Sequence, residues 1–151
     1  MARFRYSMQS ILDIKIKMET QAKQEFSAAQ NALDEEEQRL AALYERQADY
    51  EEESRRLLTG VLNVRDIEDN KNALLMMEQY IAQQKHQVKR AQDRVEWART
   101  QLAEVMKERK MHETLKEKAF ESFLQEEKGQ DGKAVDELTS YTYGQKRQVK
   151  G

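Results

Sequence analysis

The sequence predicts an all-α fold, a long two-helix antiparallel coiled-coil hairpin with a short C-terminal helix or a disordered tail. Two matching seams and the composition carry that prediction. From Ile67, alternate steps of three and four residues reach Asn70, Leu74, Met77, Ile81, Gln84, Val88, Ala91, Val95, Ala98, Leu102 and Val105, apolar at all but Asn70 and Gln84. Gln, Lys, Arg, Glu and Asp fill most positions between, so the helix carries one narrow apolar stripe, the coiled-coil signal. A second seam runs through Ala22, Phe26, Ala29, Leu33, Glu36, Leu40, Leu43, Gln47, Tyr50, Ser54 and Leu57. Only a few residues around Gly60 separate the two, too few for parallel helices, so the chain must fold back on itself. Charged residues make up 36% of the 151 and there is no proline, as long solvated helices require.

Residues 1–6, MARFRY, are basic and aromatic, and Ser7 is placed to cap a first helix over about 7–58, roughly 75 to 80 Å long at 1.5 Å per residue. Ile11, Ile14 and Met18 share a face but leave the frame that starts at Ala22, which predicts a stutter. The second helix is expected to change frame at the same level, with Met106, Met111, Leu115 and Ala119 replacing Arg109 and His112 in the seam. Facing Leu57 with Ile67 sets a register that pairs Tyr50 with Leu74, Leu43 with Ile81, Leu33 with Ala91, Ala29 with Val95 and Phe26 with Ala98. Ser54 then meets Asn70 and Leu40 meets Gln84, polar layers that specify register at some cost in stability. Lys15 would face Arg109, a repulsion that the frame change relieves.

Thr59 and Gly60 end the first helix, the turn occupies about 59–63, and Asn63 caps a second helix over about 64–127. KGQDGK at 128–133 is expected to break it, leaving a tail over 128–151 that holds one short helix and a basic end. The whole reads as a single coiled-coil domain, 1–151.

Composition narrows the function classes. With 26 basic and 28 acidic residues and a net charge of −2, nothing calls for nucleic acid. There is no cysteine, hence no disulfide and no thiolate chemistry. No apolar run reaches the roughly 18 residues of a membrane span, so a cytoplasmic protein without direct membrane insertion is expected. His86 and His112 stand far apart and no nucleophile elbow or glycine-rich loop accompanies them. The reading is therefore no enzyme, no cofactor and no metal.

Binding surfaces remain. Trp97 falls off the seam beside Arg94 and Ala98, where it either lies along a basic stem or meets a partner. Leu75, Met76 and Tyr80 widen the apolar stripe near the turn, on a surface that methionine makes adaptable. At the other end Phe4, Tyr6 and Met8 are expected to meet Leu115, Phe120, Phe123 and Leu124, which need cover from the tail (Leu138, Tyr141, Tyr143) or from another protein.

The opening RFRYSMQSILDIKIKMETQAKQEF, the run ERKMHETLKEKAFESFLQEE and the closing DELTSYTYGQKR, with Asp136 and Glu137, resemble the flagellar export protein FliJ family over almost the whole length. That resemblance implies a cytoplasmic component of the flagellar type III secretion apparatus, serving motility and chemotaxis, associated peripherally with the inner face of the membrane at the flagellar base. It implies binding to the export ATPase FliI in the manner of a rotary-ATPase stalk, contact with the export gate protein FlhA, and escort of export chaperones. By analogy Ile11, Ile14, Met18, Leu115, Phe120 and Phe123 would meet the ATPase. Ala73, Met77, Tyr80 and Gln84, joined by Met76, would meet the gate, although these residue types depart from the enteric pattern of a large aromatic first and a histidine last. A structural or self-associating coiled coil, or the equivalent stalk of a non-flagellar secretion system, would share the same physical features.

Overall fold

The computed structural model describes the backbone of residues 3–150 and the side chains of residues 3–130 and 132. Two helices make up the fold, α1 (Gln9–Leu57) and α2 (Val64–Lys150). The chain forms two compact units, one of Thr20–Glu104 and one that joins Met1–Glu19 to Val105–Gly151.

In the unit of Thr20–Glu104, the two helices pack antiparallel about the turn. Thr59 closes α1, its N–H and its hydroxyl both donating to the Arg56 carbonyl at 3.2 and 2.8 Å. Gly60 follows at φ +80°, the left-handed conformation in which a side chain would be strained. Asn63 then caps α2: its Oδ1 accepts from the N–H groups of Arg65 and Asp66 at 3.1 and 3.4 Å, and its carbonyl takes the first helical bond from Ile67. The core is linear. Ala29, Val95 and Ala98 are buried together with Phe26 and Leu33 packed against them, and Ala22, Met77, Ile81 and Val88 are buried along the same seam. Large therefore meets small, as the predicted pairs of Phe26 with Ala98 and Leu33 with Ala91 require.

The polar layers differ in one respect from the pairing read in the sequence. Asn70 is buried and its Nδ2 donates to the Tyr50 carbonyl at 3.0 Å, while Gln84 Nε2 donates to the Glu36 carbonyl at 2.9 Å and to the Glu36 carboxylate. Each amide thus reaches one turn along α1 from the residue predicted to face it, Ser54 or Leu40. A helix carbonyl has a second lone pair to share, so the main chain becomes the acceptor.

The predicted frame change does not occur. In the unit formed by residues 1–19 and 105–151, Leu12 and Glu19 are buried and Lys15 is half-buried, while Ile11, Ile14 and Met18 are exposed. Positions 12, 15 and 19 continue the same three-and-four stepping into Ala22. On α2 the heptad positions Val105, Arg109, His112, Lys116, Ala119 and Phe123 are all half-buried, and Met106, Glu113 and Glu127 are half-buried beside them, whereas Met111 and Leu115 face out. Charged residues hold the seam because they are paired. Arg109 Nε donates to Glu19 and its Nη1 to Glu113 at 2.7 Å, and Lys15 Nζ meets Glu108 at 2.7 Å. The expected clash of Lys15 with Arg109 is removed by these carboxylates.

Two helix limits also need correction. The Met8 carbonyl, not that of Ser7, accepts the first helical bond of α1, from Leu12 at 3.1 Å. The break expected at 128–133 is absent, and α2 runs through Gly129 and Gly132 to Lys150. A glycine in a helix interior costs only about 1 kcal/mol against alanine, too little to force an end without proline or a left-handed residue, and Gly60 is the described glycine with positive φ. The side chains of Asp136, Glu137, Leu138, Tyr141 and Tyr143 lie outside the described residues, and with them the expected cover from the tail.

Candidate protein-binding surfaces

Among the described residues no group of His, Cys, Asp or Glu could hold a metal ion, and no helix is long and apolar enough to cross a membrane. His86 is exposed; His112 is half-buried, its Nδ1 buried and without a hydrogen-bond partner among the described residues. The surfaces that stand out are apolar residues facing away from the seams, and charges left over once the ion pairs are made.

The first surface belongs to the unit of residues 1–19 and 105–151. Ile11, Ile14, Met18, Leu115 and Phe120 are all exposed, Ile14 by 55% and Leu115 by 47%. They face out because the seam frame persists beneath them, with Leu12, Lys15 and Glu19 turned inward. Phe123 is half-buried. The lead segment before α1 is tied down by aromatic contacts, Phe4 lying 5.1 Å from Phe120 edge-on and 5.4 Å from Phe123. The expected meeting of Phe4 with Phe120 and Phe123 is therefore present, and it leaves an edge of Phe120 and the side chain of Leu124 exposed.

Beside that cluster, Arg3, Phe4, Arg5, Tyr6, Gln9 and Lys116 line a hollow of about 440 Å³. The Tyr6 hydroxyl is buried and has no hydrogen-bond partner among the described residues. This basic hollow was not singled out from the sequence. The signal was present in RFRY, but the inward position of Lys116 follows only from the unbroken heptad on α2.

Electrostatics in this unit follow from the ion pairs. The hydrogen bond from Lys15, reinforced by its charge, holds the Glu108 carboxyl below its ordinary value. Arg109 is held above its ordinary value, first by the hydrogen bond to Glu19 and then by Glu113.

The second surface lies in the unit of Thr20–Glu104, on α2 after the turn. Leu75, Met76 and Tyr80 are exposed, by 51% for each of the first two. Ala73 is half-buried, Met77 is buried in the seam at 4% exposure, and Gln84 is engaged by Glu36. The gate candidates thus split into Met76 and Tyr80, which are accessible, and Met77 and Gln84, which serve the hairpin. The turn itself exposes Leu58, Val61, Leu62 and Val64, a run of aliphatic side chains that the sequence reading passed over because it treated the loop only as a helix break.

Trp97, 58% exposed, borders a hollow of about 460 Å³ with Glu25, Ala28, Ala29, Ala32, Arg94 and Ala98. The alanines keep this stretch of α1 low beside the indole.

A family profile described as "Flagellar FliJ protein" matches residues 4–148. Among solved structures, a YscO homolog from Chlamydia trachomatis is similar in fold, with a TM-score of 0.77 and 21% identity over 97% of this chain and 99% of that one. No curated protein sequence matches.

Proposed function

Because the chain belongs to the flagellar FliJ protein family, and so is a coiled-coil protein associated with type III secretion export, we propose that it acts there as a non-enzymatic, stalk-like subunit. It binds the export ATPase FliI and promotes its assembly and activity. It links that ATPase to the export gate protein FlhA and to export chaperones, at the inner face of the membrane at the flagellar base and without inserting into the bilayer.

The observation that carries the reading is the family match over residues 4–148, to which the distribution of exposed apolar side chains adds a division of labour. Ile11, Ile14, Met18, Leu115 and Phe120, with Phe123 behind them, are assigned to the ATPase. Met76 and Tyr80 are assigned to the gate, with Ala73 at the margin and Met77 and Gln84 holding the hairpin beneath. Trp97 and the pair Asp136 and Glu137 remain further candidates for partner contact. Large apolar side chains left exposed among the described residues are the kind of surface that partners bury.

The test is the ATP hydrolysis rate of the same organism's FliI with and without this chain, repeated with Leu115→Ala combined with Phe120→Ala. Stimulation by the unaltered chain is expected. The variant should bind more weakly by about 2 kcal/mol, near thirtyfold, if either residue is an anchor. Circular dichroism checks that the variant is as helical as the parent. No binding and no change in rate would remove the stalk reading.

A further inference from the structure

We infer that the hollow at the start of α1 is an anion-binding site for carboxylates, and that it takes an acidic, partly apolar peptide segment of a partner protein. Some exposed cations on this chain are matched by carboxylates one turn away, as in Arg39 with Glu36, Arg56 with Glu53, Lys89 with Asp93 and Arg99 with Glu96. Arg3, Arg5 and Lys116 are not matched in this way, and they stand together. They line one hollow of about 440 Å³, and among the described residues none of them has a carboxylate within ion-pair distance.

Local geometry explains why. Arg3 and Arg5 precede α1 and so have no helical neighbour to pair with. Lys116 would look to Glu113 three residues back, but Glu113 is held by Arg109 at 2.7 Å. Asp13, the acidic residue nearest in sequence to the start of α1, accepts from Gln9 Nε2 at 2.9 Å, and the first turn of α1 contains no acidic residue. The positive end of the helix dipole therefore adds to the arginines without a counter-charge. Tyr6, on the same wall, carries a hydroxyl donor that nothing among the described residues uses.

Like charges gathered on one wall repel one another, and an incoming group with several negative charges relieves that repulsion. Planar guanidinium groups suit bidentate contact with carboxylates. The other side of the site is apolar: Phe4 lines the hollow and packs on Phe120, whose exposed edge continues to Leu124. A segment that alternates acidic with large apolar residues covers both halves, whereas a bare phosphate uses only the cations. For the identity of the partner the inference rests on the stalk reading; for its chemistry it rests on the hollow.

Fluorescence anisotropy with a fluorescein-labelled amphipathic peptide of Glu, Leu and Phe, and with its Lys-for-Glu counterpart, tests the site on the full chain. The acidic peptide alone is expected to bind, with affinity falling at least about tenfold from about 50 to about 500 mM salt as screening shortens. Arg3→Glu combined with Arg5→Glu is expected to weaken binding at least about tenfold, as is Lys116→Glu by itself. The first pair lies outside both helices and leaves the coiled coil standing. Equal binding of both peptides, unaltered binding by the variants, or no binding at all would overturn the site. So would binding of sodium pyrophosphate or of phosphatidylglycerol vesicles, but not of the acidic peptide, with the same residue dependence. FliI stimulation, measured alongside, decides the stalk reading separately: peptide binding without any effect on FliI retains the site and discards the ATPase as its partner.

Discussion

Residue by residue, the packing is decided by size and by charge pairing. Ala98 is 3% exposed and packs with Ala29, Val95 and Phe26. Ala98→Leu is expected to cost about 1–3 kcal/mol through overpacking, read as a lower urea midpoint; an unchanged midpoint would mean that the helices separate freely at this layer. The Lys15–Glu108 pair sets a pH response. Its carboxyl is held below the ordinary 4.5 in the folded chain. Such a group stabilises above its unfolded value and loses that contribution as pH falls through the lowered folded value. The thermal midpoint of the parent should therefore drop more steeply than that of Glu108→Gln below pH 4.5, the two converging in stronger acid. The effect is small because the carboxylate is half exposed. Parallel curves would show that the pair does not persist in solution.

At the scale of the helices, the turn and the polar layers decide where each helix ends and how the two align. Gly60 sits at φ +80° with open space where a Cβ would project, so Gly60→Ala pays only for the backbone, about 1–2 kcal/mol. Asn63→Ala removes the acceptor for Arg65 and Asp66 and is expected to cost about 1 kcal/mol. Urea titration of the two variants checks both values, and a neutral Gly60→Ala would mean that the left-handed turn is not retained. Asn70 and Gln84 act differently. Replacing both by Leu buries more apolar surface and should raise the thermal midpoint while weakening the choice of register. Since the chain has no cysteine, disulfide yields for Ala29→Cys with Val95→Cys, and one turn away for Ala29→Cys with Ala91→Cys, report that choice. In the parent only the first pair should cross-link well; in the Leu variant both should. A single register in both proteins would show that size matching alone aligns the helices.

For the whole molecule, the two units carry different kinds of exposed surface, and the proposed function predicts that their losses separate. Leu115→Ala with Phe120→Ala should reduce FliI stimulation and leave FlhA binding intact, while Met76→Ala with Tyr80→Ala should do the reverse, each by about 2 kcal/mol in the affected interaction. Loss of both activities in either variant would contradict independent surfaces. Much of this molecule was legible in the amino-acid order: the all-α class, the two seams, the turn at Gly60, the Asn63 cap and the antiparallel pairing of Phe26 with Ala98 all follow from local periodicity and short-range chemistry. The continued frame through Lys15, Glu19 and Arg109 was not, because a heptad reading counts apolar residues and a charged position in the seam counts against it. Pairing across the seam depends on the facing helix, so only the tertiary structure could show that Glu19 joins Glu113 on Arg109, that Glu108 takes Lys15, and that Arg3, Arg5 and Lys116 line one hollow with no carboxylate in reach among the described residues.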